Sequence, residues 1–104
     1  MARKPQAGPA SDPELLILSS LANGAKHGYA ILSDIETFSG ARLGAGTLYT
    51  AITRLVEKRW IVPEAPSGRQ RPYRITAAGA ACLEQQLRDM RRVATIGLGR
   101  LRLA

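Results

Sequence analysis

Cysteine occurs once, at Cys82, and histidine once, at His27. A single thiol closes no disulfide within the chain. One thiol and one imidazole make no zinc site unless carboxylates or a second chain complete it. Cys82 lies in an Ala-rich helical stretch and reads as a small apolar residue for the interior. Aromatic residues are scarce, and none follows Tyr73. No apolar run approaches the roughly 18 residues that a membrane span requires. The opening MARKPQAGPASDPE is basic but has no apolar core, so no signal peptide is expected and the expected compartment is the cytoplasm. Acidic residues are few: eight Asp and Glu stand against fifteen Lys and Arg, a net charge of +7. That imbalance favours a polyanionic partner, nucleic acid first and an anionic membrane surface second. No paired carboxylates, nucleophile with an orienting base, or metal-ligand cluster stands out, so neither an enzyme nor a cofactor is expected.

What remains is a chain of 104 residues, 45% apolar, which suits one small globular domain. Residues 1–11 hold two prolines, a glycine and small polar residues, and read as a flexible tail. Asp12-Pro13-Glu14 is a helix start, with Asp as N-cap and Pro in the first helical position. The helix that follows, LLILSSLA, is almost wholly apolar and must be covered nearly all round, by the core and by a partner chain. Asn23-Gly24 ends it. Lys26-His27-Gly28-Tyr29 is expected to begin a second helix, with Ile31, Leu32, Ile35 and Phe38 facing inward. His27 reads as a capping or packing residue, and Tyr29 as a ring packed under the neighbouring helices.

The stretch 43–60, LGAGTLYTAITRLVEKRW, carries the reading further. Leu48, Ile52 and Leu55 fall on one helical face. The opposite face carries Thr50, Thr53, Arg54 and Glu57, with Tyr49 at its edge. Hydroxyls, a tyrosine and an arginine suit a surface that reads a nucleic-acid groove. A polar, glycine-rich connection before it makes the pair a helix-turn-helix. Those glycines follow no strand and precede no Lys-Ser/Thr pair, so a nucleotide-binding loop is not expected.

After Trp60 the period changes. Residues 61–64 and 72–75 read as two short strands around a Pro- and Gly-containing turn, a hairpin with a basic tip at Arg69 and Arg71. Placed after a helix-turn-helix, such a hairpin is a wing. Arg74 joins the cluster, with no acidic neighbour expected to offset it. Thr76 caps a last helix of some 20 residues, whose final residues are expected to fray at Gly97 and Gly99. Leu83, Leu87, Met90, Ala94 and Leu101 recur at spacings of three to seven and exceed what a small core can cover. Together with Leu16 they are the expected contacts of a homodimer. Between Ser39 and Thr76 lie seven basic residues and only two acidic ones, so most of the net charge sits on the helix-turn-helix and wing.

Three segments, HGYAIL, LGAGTLYTAITRL and GRQRPYRITAAG, resemble the PadR family of bacterial transcriptional regulators, over about residues 15–98. The resemblance implies a mostly α fold with a small β-hairpin. Residues 12–76 would form a winged helix-turn-helix and residues 77–104 a C-terminal dimerisation helix. It also implies a homodimeric repressor of a nearby promoter, relieved in some members by a small-molecule effector. By position, Gly46, Thr47 and Tyr49 open the recognition helix and Arg54 is its basic position further along. Gly68, Arg69, Arg71 and Tyr73 match the wing. Three departures carry expectations of their own. Arg59 stands where many relatives end this helix with glycine, and a left-handed arginine is strained, so a different exit is expected. Pro72 replaces a common wing tyrosine and removes a ladder donor, so that side is expected to face outward. Drug-binding members place an aromatic residue on the last helix. None follows Tyr73 here, so a flat aromatic effector at the dimer centre is not expected.

The combined expectation is a dimer on double-stranded DNA. Residues 46–58 would enter the major groove, with Thr47, Tyr49, Thr50 and Thr53 on phosphates or base edges and Arg54 on a phosphate or a guanine. The wing would reach the adjacent minor groove or backbone. The alternatives are a winged helix bound to structured RNA and a protein-interaction scaffold.

Overall fold

The computed structural model describes residues 12–103; the tail expected over 1–11 lies outside them. Helix α1 spans Pro13–Leu21, strand β1 Lys26–His27, α2 Gly28–Ser39 and α3 Ala45–Glu57. Strands β2 (Ile61–Pro63) and β3 (Pro72–Ile75) follow, and α4 (Ala77–Leu103) is the last described element. This is a winged helix with a long C-terminal helix.

The first helix is the hub. Asp12 Oδ1 accepts from the Glu14 amide at 3.2 Å, and Pro13 sets the first turn. Leu15, Leu16, Ile17, Leu18, Ser20 and Leu21 are all buried. They meet α2, α3, α4 and β3. The expectation that a partner chain would cover part of this helix fails for a simple reason. Four elements of the same chain already surround it, and Leu16, an expected dimer contact, keeps only 4% of its surface. Ser20, a buried polar side chain in the core, donates to Asp34 Oδ2 at 2.7 Å.

Lys26 and His27 correct the sequence reading. They do not begin α2; they form a third strand, antiparallel to β3, with Lys26 opposite Tyr73 and His27 opposite Pro72. The sheet is therefore three-stranded in the order β1-β3-β2 rather than a lone hairpin. His27 then caps α2, its Nδ1 accepting from the Ala30 amide at 3.4 Å. An N-cap residue is extended, so a strand can run straight into a helix. Pro72 is corrected with it. It does not sit on an outward side but opens the central strand, where its carbonyl accepts from the Glu64 amide at 2.8 Å. The first residue of a strand is where proline costs least.

Within α2, Ile31 and Ile35 are buried as expected, but Phe38 is about half exposed. Phe38 lies in the last turn, and Ala41 and Leu43 of the following loop pack against the core. In α3, Leu48, Ala51, Ile52 and Leu55 form the buried face. The exit of α3 is the second departure. Arg59 does adopt the left-handed conformation, with φ 61°. The Trp60 amide donates to the Leu55 carbonyl and the Arg59 amide to the Val56 carbonyl, both at 3.0 Å. That pair of bonds is a Schellman cap, whose left-handed seat glycine ordinarily fills. Arginine there costs about 1–2 kcal/mol. Two backbone hydrogen bonds and the anchoring of Trp60 and Ile61 hold it in place.

Thr76 ties this exit to α4. Its hydroxyl donates to the Arg59 carbonyl at 2.8 Å and accepts from the Gly79 amide at 3.0 Å. Its own amide donates to the Trp60 carbonyl at 2.9 Å. The last helix is longer than expected, 27 residues, and runs through Gly97 and Gly99 without a break. Two glycine penalties of up to about 1 kcal/mol each are small against a helix of that length.

Candidate nucleic-acid interface

The outward face of α3 follows from its inward one. Burying Leu48, Ala51, Ile52 and Leu55 turns Gly46, Thr47, Tyr49, Thr50, Thr53 and Arg54 to solvent. The face is thus the expected one, with one qualification of chemistry. The Thr53 hydroxyl donates to the Tyr49 carbonyl at 2.9 Å, so outward it offers a lone pair rather than a donor. Beside this face the N-terminus of α1 brings Asp12 and Glu14 into a groove of about 380 Å³ shared with Thr47, Thr50 and Arg54.

Seven basic residues belong to the 39–76 region, and the structure sorts them. Arg42 pairs with Glu36, Lys58 with Glu14 at 2.6 Å, and Arg74 with Glu64 at 3.2 Å. Arg74 is therefore offset after all, because pairing β2 with β3 sets Glu64 beside it. Lys58 also lies 4.7 Å from the centre of the Trp60 ring. Exposed pairs of this kind contribute at most about 1 kcal/mol, so a phosphate can displace the carboxylate. Arg54, Arg59, Arg69 and Arg71 have no carboxylate partner among the described residues.

The wing tip is a tight turn. Ser67 and Gln70 exchange backbone hydrogen bonds at 2.7 and 3.1 Å. Gly68 has φ 63°, and Arg69 is not among the residues with positive φ. That combination is the mark of a type II′ turn, which wants glycine at its first central position. Gly68 therefore acts through the backbone, by aiming Arg69 and Arg71 outward. Tyr73, on the central strand, is half-buried and packs against the core.

Sequence reasoning missed Tyr29. Expected to be packed, it is 76% exposed at the start of α2. It lines a cleft of about 400 Å³ together with Tyr49, Arg69, Arg71 and Tyr73. Gly28 also lines that cleft and makes room for Tyr49: a Cβ at Gly28 would stand 2.5 Å from the Tyr49 hydroxyl. No periodicity in the sequence signals this, because the cleft joins the start of α2, the middle of α3 and the wing. The β1–β3 pairing brings them together.

The expected dimer contacts divide. Leu16 and Leu83 are buried within the chain, and Met90 is half-buried against the core. Leu87, Ala94 and Leu101 are exposed, as are Val93, Ile96 and Leu98. No helix among the described residues is long and apolar enough to cross a membrane.

Comparison with known proteins agrees with this architecture. The family model described as "Transcriptional regulator PadR-like family" matches residues 17–85. An uncharacterized 37.1 kDa protein in transposon TN4556 of Streptomyces fradiae is 46% identical over 83 residues. That alignment covers 80% of this chain and 24% of that protein, so the chain spans about a quarter of its curated relative. A PadR family transcription regulator from Clostridium difficile R20291 superposes with a TM-score of 0.77 at 24% identity, over 86% of this chain and 97% of that one. A transcriptional regulator from Clostridium thermocellum gives 0.72 at 26% identity, over 81% and 84%. A PadR-like regulator from Bacillus cereus ATCC 14579 gives 0.75 at 20%, over 85% and 89%.

Proposed function

Because the chain belongs to the PadR-like family of transcriptional regulators, whose members are not enzymes, we propose that it is a dimeric repressor that binds double-stranded DNA through α3 and the wing. The observation that carries this reading is the placement of Arg54, Arg59, Arg69 and Arg71. All four are exposed and without a carboxylate partner among the described residues; Arg54 lies beside Thr47 and Thr50, and Arg69 and Arg71 share a cleft with Tyr49. Each subunit inserts α3 in a major groove, with Thr47, Thr50 and Tyr49 on phosphates or base edges and Arg54 on a phosphate or a guanine. Arg69 and Arg71 reach the backbone or the adjacent minor groove. Two subunits joined through α4 read an inverted repeat, with half-sites about one helical turn apart. A regulator of transcription works where the DNA is, so the proposed compartment is the cytoplasm. Release by a small-molecule effector fits the family. No aromatic residue lies between 77 and 103, which argues against a flat aromatic ligand there and leaves an apolar ligand, another signal or no effector.

Replacing Arg69 and Arg71 together by alanine is expected to weaken binding to every duplex sequence by a similar factor, about 10-fold or more, because phosphate contacts carry no base information. Electrophoretic titration against several unrelated duplexes measures it. A change in which sequence binds best would make the wing a base reader instead. Competition between DNA duplex and RNA duplex of the same sequence separates this reading from a structured-RNA partner. Preference for RNA would reject it.

A further inference from the structure

Tyr29 stands at the start of α2 with most of its surface open to solvent. A tyrosine exposed at 76% in the first turn of a helix adds little to the core. Its cleft has a consistent chemistry. Arg69 and Arg71 supply two positive charges, Tyr29 and Tyr49 supply hydroxyls, and no Asp or Glu lines it. The first residue of α2, Gly28, adds the positive end of a 12-residue helix. Hydroxyl donors and guanidinium groups around an uncompensated positive cleft suit a tetrahedral oxyanion. The cleft opens to the surface between the wing and α3, so its ligand belongs to a longer polymer lying on the same face.

We propose that this cleft seats one backbone phosphate of bound DNA in each subunit, and that Tyr29 donates its hydroxyl to a phosphate oxygen while Arg69 and Arg71 supply the charge. The seat rests on the DNA-binding reading above and adds α2 to the interface. It fixes the angle between wing and reading helix on the duplex, because one phosphate touches both. Tyr49 is held at the back of the seat by its contact with Gly28.

Tyr29→Phe tests it, since it removes one hydroxyl from an exposed ring and leaves the fold intact, which a thermal melt verifies. Titrated against a mixed-sequence DNA duplex at fixed salt, the variant is expected to bind about 10-fold more weakly for each subunit engaged, as loss of a hydrogen bond to a charged group requires. Its salt dependence should be unchanged, because no charge is lost. Equal affinity of the two proteins, with the parent binding normally, overturns the seat and leaves the DNA-binding reading standing. A parent protein that binds no duplex at low salt removes that reading and the seat with it. Inorganic phosphate at matched ionic strength should leave the difference between the proteins intact. If millimolar phosphate erases it, the cleft is a free-anion site and the proposal fails.

Discussion

Replacing Leu98 and Leu101 together by glutamate should leave the proposed dimer monomeric and weaken DNA binding by about 100-fold or more. The argument starts from one stripe of α4. Leu83, Leu87, Met90, Ala94, Leu98 and Leu101 fall on the same side of the helix at three- and four-residue spacing. At its start the stripe belongs to the chain's own core, with Leu83 buried and Met90 packed against it. Beyond Met90 no element among the described residues covers it, and Leu98 and Leu101 stand 56% and 74% exposed. Covering a leucine stabilises by about 1.5–3 kcal/mol. Four leucines at a two-fold interface therefore contribute enough to hold it, and four carboxylates there would break it. Loss of the second subunit removes the gain from linked half-sites, which is commonly a factor of about 100 to 10,000. Sedimentation and duplex titration read the two consequences. The winged helix itself should keep its thermal transition, because neither leucine touches its core. A double variant that remains dimeric would place the interface elsewhere.

Gly79→Ala should destabilise the domain by about 2 kcal/mol or more, an effect on the order of 10 °C in Tm for a domain this size. A Cβ at Gly79 would stand 2.1 Å from the Trp60 carbonyl oxygen and 3.1 Å from the Ile75 side chain. The obstacle is backbone, and it is already engaged: that same carbonyl accepts from the Thr76 amide at 2.9 Å. Making room would pull α4 from the exit of α3, where Thr76 also bonds the Arg59 carbonyl. Thermal melting followed by circular dichroism measures it. A shift below about 2 °C would mean that α4 is not locked to the α3 exit.

These two positions differ in how far the sequence announced them. The apolar stripe of α4 was legible as spacing, because helical periodicity is a local property. So were the Asp12 cap, the buried face of α3 and the two wing strands. Nothing in the sequence marks Gly79 as a close approach; its contact with Trp60 depends on how β2 and β3 return the chain. The third strand was hidden because two residues, Lys26 and His27, leave no alternation to detect. Its absence from the sequence reading carried other errors with it. Without β1 beside β3, Pro72 looked like an outward edge and Tyr29 like a core ring. An apolar helix does not by itself say what covers it, so Leu16 reads as a partner contact in the sequence; α2, α3, α4 and β3 of the same chain enclose it. Arg59 went the other way. Strain predicted that it would avoid the left-handed region, yet the Schellman bonds of Trp60 and Arg59 outweigh a cost of about 1–2 kcal/mol. The positive charge on the interface was legible as a count, but its pairing was not. Only the fold shows that Glu14 reaches Lys58 and Glu64 reaches Arg74, while Arg69 and Arg71 have no carboxylate partner among the described residues.

The central claim is that α3 and the wing form an electrostatic surface for DNA in each half of a dimer. About four phosphates neutralised per subunit make about eight per dimer, and the logarithm of affinity should then fall with the logarithm of salt at a slope near −7. Titration of a DNA duplex with the purified protein across a series of salt concentrations measures that slope directly. A value near −7 is the expected result, and affinity that does not change with salt would contradict the account.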